Sequence, residues 1–138
     1  MIVLDASALV ELLLETSSGH QVATLIADPA IGLHVPHLAD IEVTQALRRY
    51  ARDGEVGASG AEAAISALHA LDLQRHSHEP LLDRVWELRH NMSAYDAAYV
   101  ALAEALNAKI ITCDGRLANA PGGRVPIQLV KAGLQSQS

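Results

Sequence analysis

The chain lacks the features on which secreted, disulfide-linked and membrane-spanning proteins depend. It contains a single cysteine, Cys113, so no internal disulfide can form, and this usage is typical of a reducing, cytoplasmic compartment. No run of apolar residues approaches the length that a membrane span requires, so we expect no membrane partner. The first fifteen residues lack the basic start of a secretory signal, and no signal peptide is therefore predicted.

Aromatic residues and positive charges are also scarce. Phenylalanine is absent and aromatic residues make up only 3% of the 138 residues, so leucine, valine, isoleucine and alanine must fill the core. Ten lysines and arginines against sixteen acids give a net charge of −6. This balance argues against a general coat for nucleic acids, but it does not exclude local binding of RNA. The remainder, 50% hydrophobic and 19% charged, is typical of one globular domain.

Short β-branched runs alternate with longer helical segments along the chain. This alternation predicts one α/β domain over residues 1–130, with a central, mostly parallel sheet, and a flexible tail at 131–138. The predicted strands are Ile2–Leu4, Leu33–Val35, Leu71–Arg75, Ile110–Cys113 and Pro126–Val130. The predicted helices are Ser7–Glu15, Gly19–Ala27, His37–Arg52, Ser59–Leu71, Pro80–His90 and Ala94–Asn107.

Four acidic residues occupy positions where a ligand site is expected in such a fold. Asp5 directly follows the first predicted strand, and Asp114 directly follows the fourth. Open α/β sheets bind ligands at the carboxyl ends of their strands. Asp96 lies in the first turn of an otherwise apolar helix, and Glu42 lies at the edge of the buried face of its helix. The sequence thus brings at least two carboxylates to one edge of the sheet.

Each acid also has a purely structural interpretation. Asp96 fits a capping box, Asp5 can cap the helix that follows it, Asp114 precedes a glycine in a common turn dipeptide, and Glu42 suits a helix dipole. A shared location favours a shared function, because clustered carboxylates repel one another and are stabilised by protons or by a divalent ion. Hard cations such as Mg²⁺ and Mn²⁺ prefer such ligands.

Two hydroxyl residues stand close to these acids in the sequence. Ser7 and Thr112 each lie two residues from an acid, where a hydroxyl can orient a carboxylate or a metal-bound water. Their alternative roles are helix capping for Ser7 and an ordinary strand side chain for Thr112. Cys113 has no evident basic partner and is not predicted to be a nucleophile.

Four stretches of the chain resemble, in content and order, the motifs of PIN-domain ribonucleases, and most closely those of VapC-type toxins from type II toxin–antitoxin systems. They are MIVLDASAL at the start, PHLADIEVTQAL at 36–47, SAYDAAYVALAE at 93–104, and IITCDGRLA at 110–118. The resemblance covers about 130 residues. It implies a three-layer α/β/α fold with a central, mostly parallel sheet and an acidic pocket that holds Mg²⁺ or Mn²⁺.

Carried over residue by residue, the resemblance implies roles for the acids. Asp5, Glu42, Asp96 and Asp114 correspond to the catalytic and metal-binding quartet. Ser7 and Thr112 correspond to the hydroxyl residues beside it. The implied reaction is metal-dependent endonucleolytic hydrolysis of RNA by an activated water, without a covalent intermediate.

The resemblance also implies partners. A cognate antitoxin is expected to lay a segment over the acidic pocket, with a basic side chain entering the carboxylate cluster. Toxins of this type are usually dimers, so a homodimer or a higher toxin–antitoxin assembly is expected.

Contacts with RNA require local positive charge. Arg84, Arg89 and Arg116 are the candidate substrate-binding residues near the predicted pocket. The arginines that end the helix at 37–52 are explained by the helix dipole. The seven histidines lack the paired spacing of zinc ligands, so no zinc site is predicted. Trp86 is expected to pack in the core, and stacking on a base is the less favoured alternative.

Two other functions remain open from the sequence. The Asp-Ala-Ser that follows the first strand is loosely similar to the start of aspartyl-phosphate phosphatases, although their pattern needs a second aspartate where Ser7 stands. A non-catalytic PIN-like module, whose acids hold structural Mg²⁺ or an arginine of a partner, is the other alternative. Metal-dependent cleavage of RNA distinguishes the nuclease from both.

Overall fold

Five parallel strands form the centre of the fold in the computed structural model, which describes residues 1–131; the predicted tail beyond Lys131 lies outside the described residues. The order in the sheet is β3-β2-β1-β4-β5, and every neighbouring pair is parallel. The strands are β1 (Ile2–Leu4), β2 (Leu33–Pro36), β3 (Leu73–His76), β4 (Lys109–Thr112) and β5 (Ile127–Leu129). The predicted α/β fold with a central parallel sheet is confirmed.

The helices form two groups around this sheet. The chain moves outward from β1 to β2 and β3 through the first group, then crosses back to β4 and β5 through the second. Because parallel crossovers are right-handed, the change of direction places the two groups on opposite faces. The first group is α1 (Ala6–Leu13), α2 (Ser17–Leu25), α3 (Leu38–Arg52) and α4 (Ala58–Ala70), and the second is α5 (Leu82–Glu87), α6 (Ala94–Leu106) and α7 (Gly115–Asn119).

The segment at 79–92 differs most from its prediction. One helix was expected over Pro80–His90, but the structure has a short 3₁₀ turn at Glu79–Leu81, the two-turn helix α5, and turns that continue to Met92. Proline lacks an amide hydrogen and suits such a first turn. Amides of the turns then bond back to the carbonyl of buried Leu88 instead of extending the helix.

The core consists mainly of aliphatic residues, as the composition predicted. One cluster of buried apolar side chains extends from Ile2 to Val130. Helix α6 is buried along seven successive residues, from Ala97 to Ala103, and Tyr99 in its middle is the largest fully buried side chain. In residues 1–131, no helix is long and apolar enough to cross a membrane.

Trp86 does not lie in this core, so its predicted packing is wrong. Its side chain is 66% exposed, whereas Leu81 and Leu88, just outside the two ends of α5, are buried. Because α5 is only two turns long, these flanking leucines anchor it and leave Trp86 on the outer side.

Candidate functional site

The four predicted acids lie around the point where the direction of the chain reverses in the sheet. Strand β1 pairs with β2 on one side and with β4 on the other, so the crevice at its carboxyl end is the topological switch point at which α/β proteins bind ligands. Asp5 follows β1, and Asp114 follows β4 by two residues. Asp96 lies in the first turn of α6, and Glu42 lies in the second turn of α3.

Asp5 is buried and firmly held. Its carboxylate accepts hydrogen bonds from the Ser7 hydroxyl at 2.8 Å, the Thr112 hydroxyl at 2.8 Å and the Ala8 amide at 3.0 Å. The last of these contacts caps α1. Burial nevertheless raises the pKa of Asp5 to about 6, because three hydrogen bonds do not replace the lost hydration and the charge of Asp114 adds to the effect.

The two hydroxyls connect the loops that follow β1 and β4. The Ser7 oxygen accepts a hydrogen bond from the Cys113 amide at 2.9 Å, and the Thr112 oxygen accepts one from the Asp114 amide at 2.9 Å. The two oxygens lie 3.2 Å apart. Thr112 is fully buried, so this network fixes the Asp5 carboxylate relative to the end of β4.

Glu42 is positioned by a residue whose role the sequence did not indicate. The Tyr99 hydroxyl donates a hydrogen bond of 2.6 Å to Oε1 of Glu42, and thus links the helices on opposite faces of the sheet. Burial raises the pKa of Tyr99, and it also raises the pKa of Glu42 together with the nearby charge of Asp96. A usable signal was present: a buried tyrosine usually has a hydrogen-bond partner, and Tyr99 lies three residues beyond Asp96.

Asp96 lies at the start of α6, but its carboxylate does not cap the helix as the sequence predicted. Its amide donates to the Ser93 hydroxyl at 3.1 Å, so Ser93 is the N-cap of α6. The return bond of a capping box, from the Ser93 amide to the Asp96 carboxylate, is absent among the hydrogen bonds of residues 1–131. Burial and the charge of Asp114 raise the pKa of Asp96, while Arg116 and Ser93 lower it. Capping therefore does not account for this carboxylate.

Asp114 has a structural role as well. Its Oδ1 accepts a hydrogen bond of 2.9 Å from the Arg116 amide and caps the short helix α7, a structural role that the sequence also allowed. The Arg116 guanidinium lies 3.4 Å from the other oxygen, and its side chain is 88% exposed. This cation faces solvent beside the acids.

Glu42 stands at the junction of two clefts. The first has a volume of about 620 Å³ and the second of about 410 Å³, and both have Glu42 in their walls. The first cleft is lined by Ala6, Ser7, Val10, Glu11, Ser18, Glu42, Ala46, Arg49, Tyr50, Cys113, Val130 and Lys131. The second cleft is lined by Glu42, Asn91, Met92, Ser93, Tyr95, Asp96, Arg116 and Ala120.

The three predicted substrate-binding arginines lie in different places. Arg116 lines the second cleft. Arg89 lies in an adjoining groove, with its guanidinium over Trp86. The structure does not bring Arg84 to either cleft, because its guanidinium forms a two-pronged ion pair with Glu104, at 2.7 and 3.1 Å, two turns along α6 from the acids.

The first cleft contains charged residues that the sequence did not single out. Arg49 and Lys131 lie in its wall, as does a fifth acid, Glu11. Together with burial, the charges of Glu11 and Asp5 raise the pKa of Cys113 to about 12. The thiol therefore stays protonated at neutral pH and is a poor nucleophile, as the sequence indicated.

The acids suit an open metal site better than a closed one. Within residues 1–131, no three acidic, histidine or cysteine side chains converge on one point as an all-protein metal cage would require. Mg²⁺ typically keeps several waters and binds through one or two carboxylates. Burial raises the pKa values of Asp5, Glu42 and Asp96, a neighbouring acid raises each further, and Arg116 partly offsets the shift at Asp96 only. A hydrated divalent cation fits this set of oxygen ligands.

Comparison with known proteins gives a consistent result. The family model described as PIN domain matches residues 2–123. The chain is 45% identical to ribonuclease VapC9 of Mycobacterium tuberculosis over 130 residues, covering 94% of this chain and 98% of that protein.

Solved structures share the fold at lower identity. VapC20 of M. tuberculosis, a toxin that cleaves the sarcin-ricin loop, has a TM-score of 0.64 and 18% identity, covering 85% of this chain and 92% of that one. VapBC2 of Rickettsia felis, bound to a DNA fragment of its promoter, has a TM-score of 0.68 and 13% identity, covering 95% and 100%.

Proposed function

The chain belongs to the PIN-domain family, among the VapC ribonucleases, and we propose that it is an endoribonuclease toxin that hydrolyses RNA at the four-acid site. The observation that carries the proposal is the placement of Asp5, Glu42, Asp96 and Asp114 around one switch point, where Glu42 and Asp96 lie in the walls of two open clefts. A cleft open on both sides of Glu42 suits a chain-like substrate that extends beyond the cleaved bond.

Mg²⁺ or Mn²⁺ is the proposed cofactor, with Asp5 and Asp96 as its principal ligands and Glu42 and Asp114 completing the site directly or through water. When bound, the ion would supply an activated water and positive charge against the phosphodiester. Burial and mutual repulsion raise the pKa values of Asp5, Glu42 and Asp96. A bound divalent cation would offset both effects, which supports the proposed metal.

Hydroxyl side chains around the site fix the orientation of two of the four carboxylates. Ser7 and Thr112 fix both oxygens of Asp5, and Tyr99 fixes one oxygen of Glu42. Preorganised ligands need no rearrangement when substrate arrives, which keeps the reacting groups in register. Arg116, exposed in the second cleft, is placed to meet a phosphate of the RNA backbone.

A cognate antitoxin is the proposed protein partner, in line with the solved complex of VapBC2. The same open cleft that admits RNA would admit a segment of the antitoxin, and an arginine inserted among the four carboxylates would form charge-assisted hydrogen bonds with them. We further propose a cytoplasmic homodimer, either free or within a larger toxin–antitoxin assembly.

The decisive test is cleavage of total cellular RNA, with the new ends mapped by sequencing. We expect defined cuts with Mg²⁺ or Mn²⁺, none with EDTA, and a loss of at least about a hundredfold in rate for Asp96→Asn, since a metal ligand is removed. Asparagine has nearly the same shape as aspartate and retains the backbone amide that bonds to Ser93, so the fold should be kept. Glu62→Gln, an exposed acid on α4, is the matched control and should cleave like the unaltered chain.

The same assay separates the alternatives. If Asp96→Asn and the unaltered chain cut equally, or if neither cuts any RNA while both are folded, the nuclease proposal is wrong and the non-catalytic module takes its place. Hydrolysis of small phosphate monoesters would instead favour the phosphatase. The structure gives that reading little support, since the Ser7 hydroxyl is engaged with Asp5 and the Cys113 amide.

A further inference from the structure

One prominent side chain is not explained by the four-acid site. Trp86 is the only tryptophan of the chain and is 66% exposed, and its neighbour Leu82 is 54% exposed. Exposed apolar patches of this kind commonly mark surfaces that bind something. The exposure is not a consequence of a loose helix end, since buried Leu81 and Leu88 anchor α5 on both sides.

Trp86 lies in a groove that continues into the site. The groove has a volume of about 440 Å³ and is mainly apolar. It shares Met92 and Ser93 with the second cleft, in which Asp96 and Glu42 lie. It is lined by Leu82, Val85, Trp86, Arg89, Met92, Ser93 and Ala94. A flexible chain bound at the acids can therefore extend to Trp86 without leaving a continuous depression.

The side chain of Arg89 orients the Trp86 ring and places a positive charge beside it. The guanidinium carbon of Arg89 lies 4.4 Å from the ring centroid of Trp86, and the Arg89 guanidinium also donates a hydrogen bond of 2.9 Å to the Trp86 carbonyl. This cation–π contact orients the ring while most of its surface stays open. A second aromatic ring, Tyr95, is 65% exposed in the second cleft, where Arg116 supplies another cation.

Aromatic rings and cations in this arrangement match single-stranded nucleic acid. Bases stack on exposed aromatic side chains, and arginines beside them meet the backbone phosphates. The second cleft contains Tyr95 and Arg116 together with two of the acids, and the adjoining groove contains Trp86 and Arg89. A second copy of the chain is the rival occupant, because tryptophan, tyrosine, methionine and arginine are also enriched at protein interfaces. RNA is favoured because the groove is continuous with the cleft that contains Glu42 and Asp96.

We propose that Trp86, oriented by Arg89, is a stacking subsite for an unpaired base of single-stranded RNA that flanks the cleaved phosphodiester. The proposal rests on the proposed ribonuclease function and adds to it a preference for unpaired over double-helical substrate near the cut. A base inside a duplex is already stacked on its neighbours and is not available to the ring.

Because Trp86 is the sole tryptophan, its own fluorescence reports on the subsite. The experiment uses the Asp96→Asn chain with Mg²⁺, so that RNA is not consumed, and titrates it with an unstructured adenine-rich oligoribonucleotide and with a self-complementary RNA duplex. We expect quenching that saturates with the single strand and is much weaker with the duplex. In fluorescence anisotropy with labelled RNA, Trp86→Ala should weaken binding by roughly tenfold or more, and Trp86→Phe by much less.

Ile41→Ala is the matched control, because it removes exposed apolar surface outside the groove without removing an aromatic ring. It should bind the single strand like the parent chain. Sedimentation of each variant shows whether self-association changes, and circular dichroism shows that each one folds.

Three outcomes would overturn the inference. If Trp86→Ala binds the single strand as tightly as the parent, the subsite idea is wrong while the ribonuclease proposal stands. Quenching that follows protein concentration, with loss of a dimer in Trp86→Ala, would assign the groove to a second copy of the chain. If the Asp96→Asn chain binds no RNA and the unaltered chain cleaves none, the proposed function itself fails and the subsite fails with it.

Discussion

At Asp5, burial of the carboxylate lowers the stability of the folded protein, although the proposed chemistry requires this group. Its side chain is 5% exposed, and its three hydrogen-bond donors are all uncharged groups. A carboxylate in such a place is better solvated in the unfolded chain, and this is why the pKa of Asp5 rises from 3.8 to about 6 on folding. The folded protein keeps a group that costs it stability at neutral pH.

This cost predicts a pH-dependent effect of Asp5→Asn. Between pH 3.8 and about 6 the folded state binds more protons than the unfolded state, so the ionisation of Asp5 lowers the free energy of unfolding progressively as pH rises through that window. The full cost above the window is at most about 3 kcal/mol. With EDTA, we therefore expect Asp5→Asn to be about 1–3 kcal/mol more stable than the unaltered chain near pH 7 and nearly equal to it near pH 4.

Urea unfolding at the two pH values measures this difference, with Glu62→Gln as the control for the loss of one exposed charge. Asparagine can accept from the Ala8 amide and donate to the Thr112 hydroxyl, so its hydrogen bonds can be satisfied. A variant that is equally destabilised at both pH values would show that geometry, not charge, governs the site.

Residues were predictable where neighbouring residues in the sequence indicate their position, and were not predictable where the position depends on distant segments. Asp5 and Asp114 were predictable because each directly follows a recognisable strand. The bond from Tyr99 to Glu42 was not, because it joins two helices from opposite faces of the sheet. Trp86 was misplaced because a large apolar residue is usually buried, and only the short length of α5 leaves it outside.

At the scale of elements, the corner between α1 and α2 shapes the first cleft. Glu15 adopts a positive φ of 56°, and Thr16 caps α2 by accepting from the Gly19 amide at 3.0 Å. A Cβ on Gly19 would lie 1.9 Å from the Glu11 carbonyl oxygen, which belongs to the backbone of α1. The two helices are therefore in direct backbone contact, and Glu11 in the cleft wall is fixed by that contact.

This contact predicts that Gly19→Ala loosens the corner. The clash cannot be relieved by rotating a side chain, so we expect a loss of about 1–3 kcal/mol in the free energy of unfolding, as for other overpacked sites. Gly115→Ala is the control, because a Cβ there meets nothing within 4 Å, and its stability should be equal or slightly higher. Thermal and urea unfolding of the two variants provide the measurement, and equal stabilities would contradict the close packing.

Element boundaries followed the sequence where the apolar pattern was long and failed where it was short. Helix α6 was predicted within one residue at its end, because Ser93 marks its start and Asn107, with a positive φ of 52°, marks its stop. The segment at 80–90 was predicted as one helix because its pattern is helical throughout. In the structure, α5 ends at Glu87, and the amides of Asn91 and Met92 bond to the Leu88 carbonyl in the turns that follow.

At the scale of the whole molecule, the order of the strands in the sheet brings the four acidic residues to one edge. The sequence placed Asp5 and Asp114 after two strands but did not establish that those strands are neighbours. The pairing of Leu4 with Ile111 shows that they are, and the reversal of direction at β1 brings α3 and α6 to the same edge from opposite faces. Strand order is a tertiary property, which local patterns do not determine.

The same arrangement predicts that a divalent cation stabilises the entire fold. A ligand that binds only the folded state adds RT ln(1 + [L]/Kd), or about 2.7 kcal/mol when its concentration is a hundred times Kd. Burial raises the pKa values of Asp5, Glu42 and Asp96, so protons compete with the metal under mildly acidic conditions. We expect Mn²⁺ to raise the melting temperature clearly near pH 7.5 and much less near pH 5, relative to EDTA.

Scanning calorimetry of the unaltered chain, Asp96→Asn and Glu62→Gln at both pH values tests this expectation. Glu62→Gln should respond like the unaltered chain, since Glu62 is an exposed acid on α4, whereas Asp96→Asn should respond weakly at either pH. An increase of equal size in all three proteins would indicate general screening of the net charge of −6 and would rule out a specific site. A metal-induced rise in melting temperature that requires Asp96 and decreases on protonation would indicate one metal site shared by the acids. Acids that only cap separate helices would not bind a metal ion together.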